Sequence, residues 1–187
     1  MPIEHHVHKK KSHRDLGAFA EVESVASEFL LFLRTPPIEQ AIALVHKLGA
    51  TSTEIQAVVH PGLEDLGFTP ERKKLFKGYP VPALRPDFYK KVGESGILLE
   101  VERGKTTANN MDLLDLWKCH ICEHAEFLFL LVPNKRHSTK GNGTRPYAQV
   151  KKRLSTFFEV RNYVDVEAVF LFGYGEALYL PSEPSER

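Results

Sequence analysis

Residues 125–133 (AEFLFLLVP) contain an almost unbroken apolar run between turn signals. A strand sends successive side chains to opposite faces, so a run that is apolar at every position needs cover on both faces of its sheet. That is the pattern of a central strand packed between helices. It is at odds with a sheet that has one wet face, and the rest of the chain has to supply the covering helices and the neighbouring strands. With 187 residues, 42% of them hydrophobic, the chain has material for one compact domain with a sizeable core.

Helical spacing supplies the cover. Phe19, Val22, Val25, Ala26, Phe29 and Leu33 predict an amphipathic helix over 16–34, stopped by Pro36-Pro37. Ile38, Ala41, Ile42 and Val45 predict a second over 37–48, closed by Gly49. Thr51 and Glu54 have capping-box spacing and open a third helix, broken at Pro61-Gly62 and followed by an apolar turn over 63–68. Glu54, Glu64 and Asp65 could each add a ligand from this flank, but solvated surface charge is the commoner role. A short strand is expected over 73–77 and an irregular or edge strand over 83–91, because Pro82 and Pro86 donate nothing to a ladder. The small polar residues 103–110 suit the start of a helix over 111–123 that buries Leu113, Leu114, Leu116 and Trp117. A last strand spans 166–173. Residues 1–15 carry His5, His6, His8 and His13 among Lys9, Lys10, Lys11 and Arg14 and read as a flexible basic arm. Residues 16–180 form the domain, and 181–187 a flexible tail.

Chemistry concentrates over residues 84–118. The run Ile97-Leu98-Leu99 leads into Glu100-Val101-Glu102, so a partly buried strand carries Glu100 and Glu102 on one face. If the turn Val92-Gly93-Glu94-Ser95-Gly96 closes a hairpin, Asp87 comes roughly opposite Glu100. Carboxylates on adjacent strands, with the Val101 carbonyl between two of them, are hard oxygen ligands suited to Mg²⁺ or Mn²⁺. In that arrangement, with one or two cations, Asp87 ligates or bridges them, Glu100 is the second ligand, and Glu102 orients or deprotonates a water or completes the second cation's shell. Lys105 is the local cation for charge building on phosphorus, and Arg103 faces away. A solvated hairpin with scattered acids is the plain alternative.

Net charge is only +1, so any nucleic-acid contact must come from local basicity. The loop 134–146 holds Lys135, Arg136, Lys140 and Arg145, and the next helix continues with Lys151, Lys152 and Arg153, a plausible clamp on a phosphate backbone. Cys119 and Cys122 are the only cysteines, which suits a reducing cytoplasm and no disulfide scaffold. With His120 or His124 they could form part of a zinc site, although buried small hydrophobes on a helix are several times the commoner outcome. No apolar run reaches the length of a membrane span, and the N-terminus lacks the apolar core of a signal peptide.

Arg85-Pro86-Asp87 and Leu98-Leu99-Glu100-Val101-Glu102, in the order strand, acid strand, helix, apolar strand, helix, strand, resemble the PD-(D/E)xK nuclease superfamily over roughly residues 54–173. Glu102 stands where that superfamily usually has lysine. The departure is similar to the BamHI/BglII-type branch, as are Gly104 and Asp112-Leu113-Leu114. The resemblance implies an α/β (α+β) fold with a restriction-endonuclease-like αβββαβ core, a central mixed sheet flanked by helices, and extra N-terminal helices. It also implies Mg²⁺-dependent hydrolysis of DNA and, for an enzyme cutting both strands, a homodimer. A noncatalytic DNA-binding or partner-binding protein on the same fold is the alternative.

Overall fold

The apolar run lies inside the sheet, as its two-faced hydrophobicity requires. In chain order the elements are β1 (Glu4–Lys9), α1 (Leu16–Leu33), α2 (Pro36–Val45), α3 (Ser52–Asp65), β2 (Thr69–Pro70), β3 (Phe88–Val92), β4 (Ser95–Val101), α4 (Met111–Ile121), β5 (Phe127–Pro133), α5 (Pro146–Ser155), a 3-10 turn (Thr156–Phe158) and β6 (Ala168–Tyr174). The computed structural model describes residues 3–11, 14–71, 75–80, 84–103, 106–136 and 143–175. One six-stranded mixed sheet runs in the order β1-β6-β5-β4-β3-β2. The inner strands β4, β5 and β6 are parallel, with Leu99 beside Phe129 and Phe129 beside Phe170. The outer pairings are antiparallel.

Alternation divides the interior into two cores. Ile97, Leu99, Val101, Phe129 and Phe170 face Phe29, Leu33, Ile55, Val59 and Leu63 from α1 and α3, joined by Ile42 of α2. Leu98, Leu128, Leu130 and Leu171 face Leu116 and Cys119 of α4 with Val150 and Leu154 of α5. Every residue of β5 and β6 is buried. The molecule is thus a mixed α/β protein with helices on both faces of an open sheet. Among the described residues no helix is long and apolar enough to cross a membrane.

The largest difference from expectation is at the N-terminus. Residues 4–9, expected in a flexible arm, pair with β6 from Glu4 opposite Gly173 to Lys9 opposite Ala168. An edge strand tolerates charge on a half-exposed ribbon, so its polar sequence hides it. His5 packs on Phe172, and Lys9 lies 5.0 Å from the centre of the Phe19 ring. The expected break at Pro61 is also absent. Helix α3 continues to Asp65, because Gly62 and Leu63 in its last turn are buried and the Phe32 ring of α1 leaves no room for a side chain at Gly62. The strand expected over 83–91 begins only at Phe88. Residues 75–77 of the one expected over 73–77 form a turn, and residues 72–74 lie outside the described residues. The expected tail at 181–187 also lies outside them.

Candidate active site

The hairpin β3–β4 forms with the expected register. Phe88 pairs with Leu99, so the position before it, Asp87, falls opposite Glu100. Asp87 Oδ2 accepts a hydrogen bond from the Val101 amide at 2.8 Å, tying the start of β3 to the end of β4. An extended residue directs its N–H and C=O to the same side of the strand, so the Val101 carbonyl is directed toward Asp87 as well. Glu100 is 4% exposed and follows Leu98 onto the α4 face. Glu102 is half-buried, and its backbone is held on both sides: its amide donates to the Leu131 carbonyl at 2.8 Å, and its carbonyl accepts from the Tyr174 hydroxyl at 2.9 Å.

Lys118 enters this carboxylate set from α4. Its ammonium donates to Glu100 and lies 2.9 Å from Asp115 Oδ1, one turn back on the same helix. Lys118 and Asp115 are both buried. The expectation that α4 buries Leu114 and Trp117 is corrected here: those side chains are 37% and 44% exposed, and the inward stripe is Asp112, Asp115, Leu116 and Cys119. Leu116 and Cys119 pack into the apolar core on this side of the sheet, and the same rotation of the helix brings Asp115 and Lys118 to Glu100.

Four carboxyls, Asp87, Glu100, Glu102 and Asp115, face one ammonium. Burial, then repulsion from Asp115, pushes Glu102 up to about 8, and the Thr106 side chain opposes the rise. Burial raises Asp87, against the Val101 amide, Lys118 and the Gln56 side chain of α3. Burial lifts Asp115 to about 6. Glu100 is driven well above the usual carboxylate range by burial and by Asp115, and only Lys118 pulls it back appreciably. Burial depresses Lys118, but Glu100 and Asp115 outweigh it and raise the ammonium above the usual lysine range. The contacts of the Lys118 nitrogen with both acids place the shared proton on Lys118.

A divalent cation matches this set in kind, because carboxylate and carbonyl oxygens are the hard donors Mg²⁺ prefers and the cluster has more negative groups than positive ones. Among the described residues no three His, Cys, Asp or Glu side chains are already drawn together closely enough to hold a metal ion. In this cation-free arrangement one Glu100 oxygen meets Lys118, and Asp87 Oδ2 accepts from the Val101 amide.

The remaining expected residues are scattered. Lys105 and Lys140 lie outside the described residues. Arg103 is buried on the far face and donates to the Lys47 carbonyl. Arg145, Lys151 and Lys152 are exposed, and Lys135 and Arg136 are partly so. Arg153 instead points inward: its guanidinium lies 3.3 Å from Asp112, donates to the Thr107 carbonyl at 3.0 Å, and donates to Asn110 Oδ1 at 2.7 Å. It thereby fastens α5 to the loop before α4, where Asn110 takes a left-handed conformation (φ 56°) that Asn tolerates better than most residues. Glu54 completes the capping box with Thr51, and Glu64 lies 3.6 Å from His60, so neither points to a ligand role. Cys119 and Cys122 are buried free thiols, and His120 accepts from the Asp165 amide at 2.9 Å.

Lys118, Asp115, Gln56 and Thr106 were not singled out from the sequence. A signal for Asp115 existed: Asp112, Asp115 and Cys119 repeat at helical spacing after an acid-bearing strand. Counting leucines hid it. Set against models of known protein families and against curated proteins, the chain matches none of them.

Proposed function

We propose that this chain is a Mg²⁺- or Mn²⁺-dependent nuclease that hydrolyses phosphodiester bonds in DNA, of the restriction, defence or repair kind. The observation that carries the reading is Lys118, a buried ammonium delivered by α4 into the carboxylates at the ends of β3 and β4. It supplies from a helix the cation that the superfamily resemblance expects at the position of Glu102. The order of elements from α3 to β5, namely α-β-β-β-α-β, also agrees with the core that the resemblance implies.

In this reading Asp87, Glu100 and the Val101 carbonyl would hold the cation, with Glu102 beside them. The bound ion supplies Lewis-acid polarisation of the phosphate and lowers the pKa of a water. Glu102, beside the cation, would accept the proton of the attacking water on a carboxylate oxygen and return it to solvent. Lys118 provides fixed positive charge for the negative charge that grows on the phosphate oxygens, in a buried setting where such an interaction is strong. Arg145, Lys151 and Lys152, with Lys135 and Arg136 at the loop base, hold the backbone of the bound strand. A duplex cut on both strands calls for two such sites, hence a homodimer.

The test is incubation of purified protein with supercoiled and linear DNA in Mg²⁺, Mn²⁺ or EDTA, alongside Glu100→Ala. Cleavage in either metal that is lost in EDTA and in the variant supports the reading. Cleavage that survives both controls contradicts it, as does intact DNA in every metal. A noncatalytic DNA-binding protein is the second reading, favoured by the lack, among the described residues, of a ready-made three-acid metal site. It predicts tight binding in Mg²⁺ with the DNA left whole.

A further inference from the structure

The Lys118 ammonium touches two carboxylates that differ in their freedom to leave it. Asp115 and Lys118 sit at i,i+3 on one helix, so their contact moves as a unit. Glu100 belongs to β4 and to the carboxylates read above as cation ligands. We propose that Lys118 is a built-in counter-ion for Glu100 that a divalent cation displaces, and that Asp115 is the positioning residue that keeps the released ammonium at the site.

This inference rests on the metal-nuclease reading and assigns the cation-free and cation-loaded roles of buried Lys118. An ammonium and a divalent cation compete for the Glu100 carboxylate, because two cations on one carboxylate repel at close range in a poorly solvated site. Withdrawing Glu100 would strand a buried charge if nothing else met Lys118. Asp115 meets it from the same helix and is 0% exposed. The freed ammonium therefore stays beside the carboxylates, within the site where a phosphate would lie. Without Asp115, Lys118 would have Glu100 as its sole carboxylate contact and compete harder for it.

Calorimetric titration of EDTA-stripped protein with MgCl₂ and with MnCl₂, in the absence of nucleic acid, tests this on wild type, Lys118→Met, Asp115→Asn, Glu100→Gln and the Glu100→Gln/Lys118→Met double variant. Lys118→Met should bind cation about tenfold more tightly and Asp115→Asn about threefold more weakly, while in the Glu100→Gln background removal of Lys118 should change affinity by less than about threefold. Asp115→Asn keeps the shape of the site, so the opposite-signed prediction survives if Lys118→Met does not fold. Unchanged or weaker binding by folded Lys118→Met, an equal gain in both backgrounds, unchanged binding by Asp115→Asn, or no cation binding by wild type would each overturn the inference. Cleavage separates the two ideas. The expected affinities with uncut DNA would remove the nuclease and leave the counter-ion, whereas metal-dependent cutting without tighter binding by Lys118→Met would remove the counter-ion and leave the nuclease.

Discussion

Glu102 shows the cost of a carboxylate cluster at the scale of one residue. Its folded pKa of about 8 lies above the ordinary 4.5, so between those values the folded chain holds a proton that the unfolded chain has released. For such an acid, stability is fully present below the unfolded pKa, drains away as pH rises through the window, and levels off above the folded pKa. In EDTA, denaturant unfolding should therefore give lower stability at pH 8 than at pH 5, with Asp115 acting in the same direction up to about 6. Glu102→Gln should flatten this decline and be more stable than wild type at pH 8 by about 2 kcal/mol, a figure reduced from the full shift because the carboxyl is only half-buried. A variant with the wild-type slope contradicts the assignment. Asp87, Glu100 and Glu102 were legible in the sequence because strand alternation and a hairpin register are simple periodicities. Lys118 and Asp115 were not, because their contacts with each other and with Glu100 on β4 are charge pairings that hydrophobic counting does not register.

Among elements, the nuclease proposal divides α5 between binding and scaffolding. Lys151 and Lys152 project to solvent, while Arg153 is committed to Asp112, Thr107 and Asn110. Lys151→Ala and Lys152→Ala should each lower the slope of log DNA affinity against log salt by about one unit, and leave the melting temperature nearly unchanged. Arg153→Ala should leave buried Asp112 without its cation and destabilise the fold by about 1–3 kcal/mol. Filter-binding over a salt series and thermal melts read both, and a salt-slope loss confined to Arg153→Ala would reverse the assignment. The β3–β4 hairpin offers a second check. A Cβ at Gly96 would stand 2.7 Å from the Lys90 carbonyl oxygen and 2.8 Å from that of His124, both backbone atoms with little room to yield. Gly96→Ala should therefore destabilise by about 1–3 kcal/mol in denaturant unfolding, and a neutral result would show that the hairpin relaxes more freely than its packing implies. Strand β1 illustrates what sequence pattern misses at this scale. Its six polar-rich residues pair with a strand more than 150 positions away, and neither propensity nor apolar alternation announces that contact.

Across the molecule, the two-faced apolar strand near the middle of the chain foretold the architecture, because a sheet covered on both sides leaves few arrangements for a single domain. The candidate site sits where the β3–β4 hairpin ends, at the carboxyl end of β4, with α3 contributing Gln56 and α4 contributing Lys118 and Asp115. A net charge of only +1 gives no overall attraction for a polyanion, so in the proposed nuclease the exposed cations of α5 and the loop before it would have to capture the substrate. The most direct measurement is a crystal structure with Mn²⁺ and a short DNA duplex, located by the anomalous signal of the metal. An ion between Asp87 and Glu100, with a backbone phosphate against it and Lys118 turned toward that phosphate, is the predicted result. DNA bound elsewhere on the surface, or Mn²⁺ absent from these carboxylates while Lys118 still holds Glu100, would contradict it.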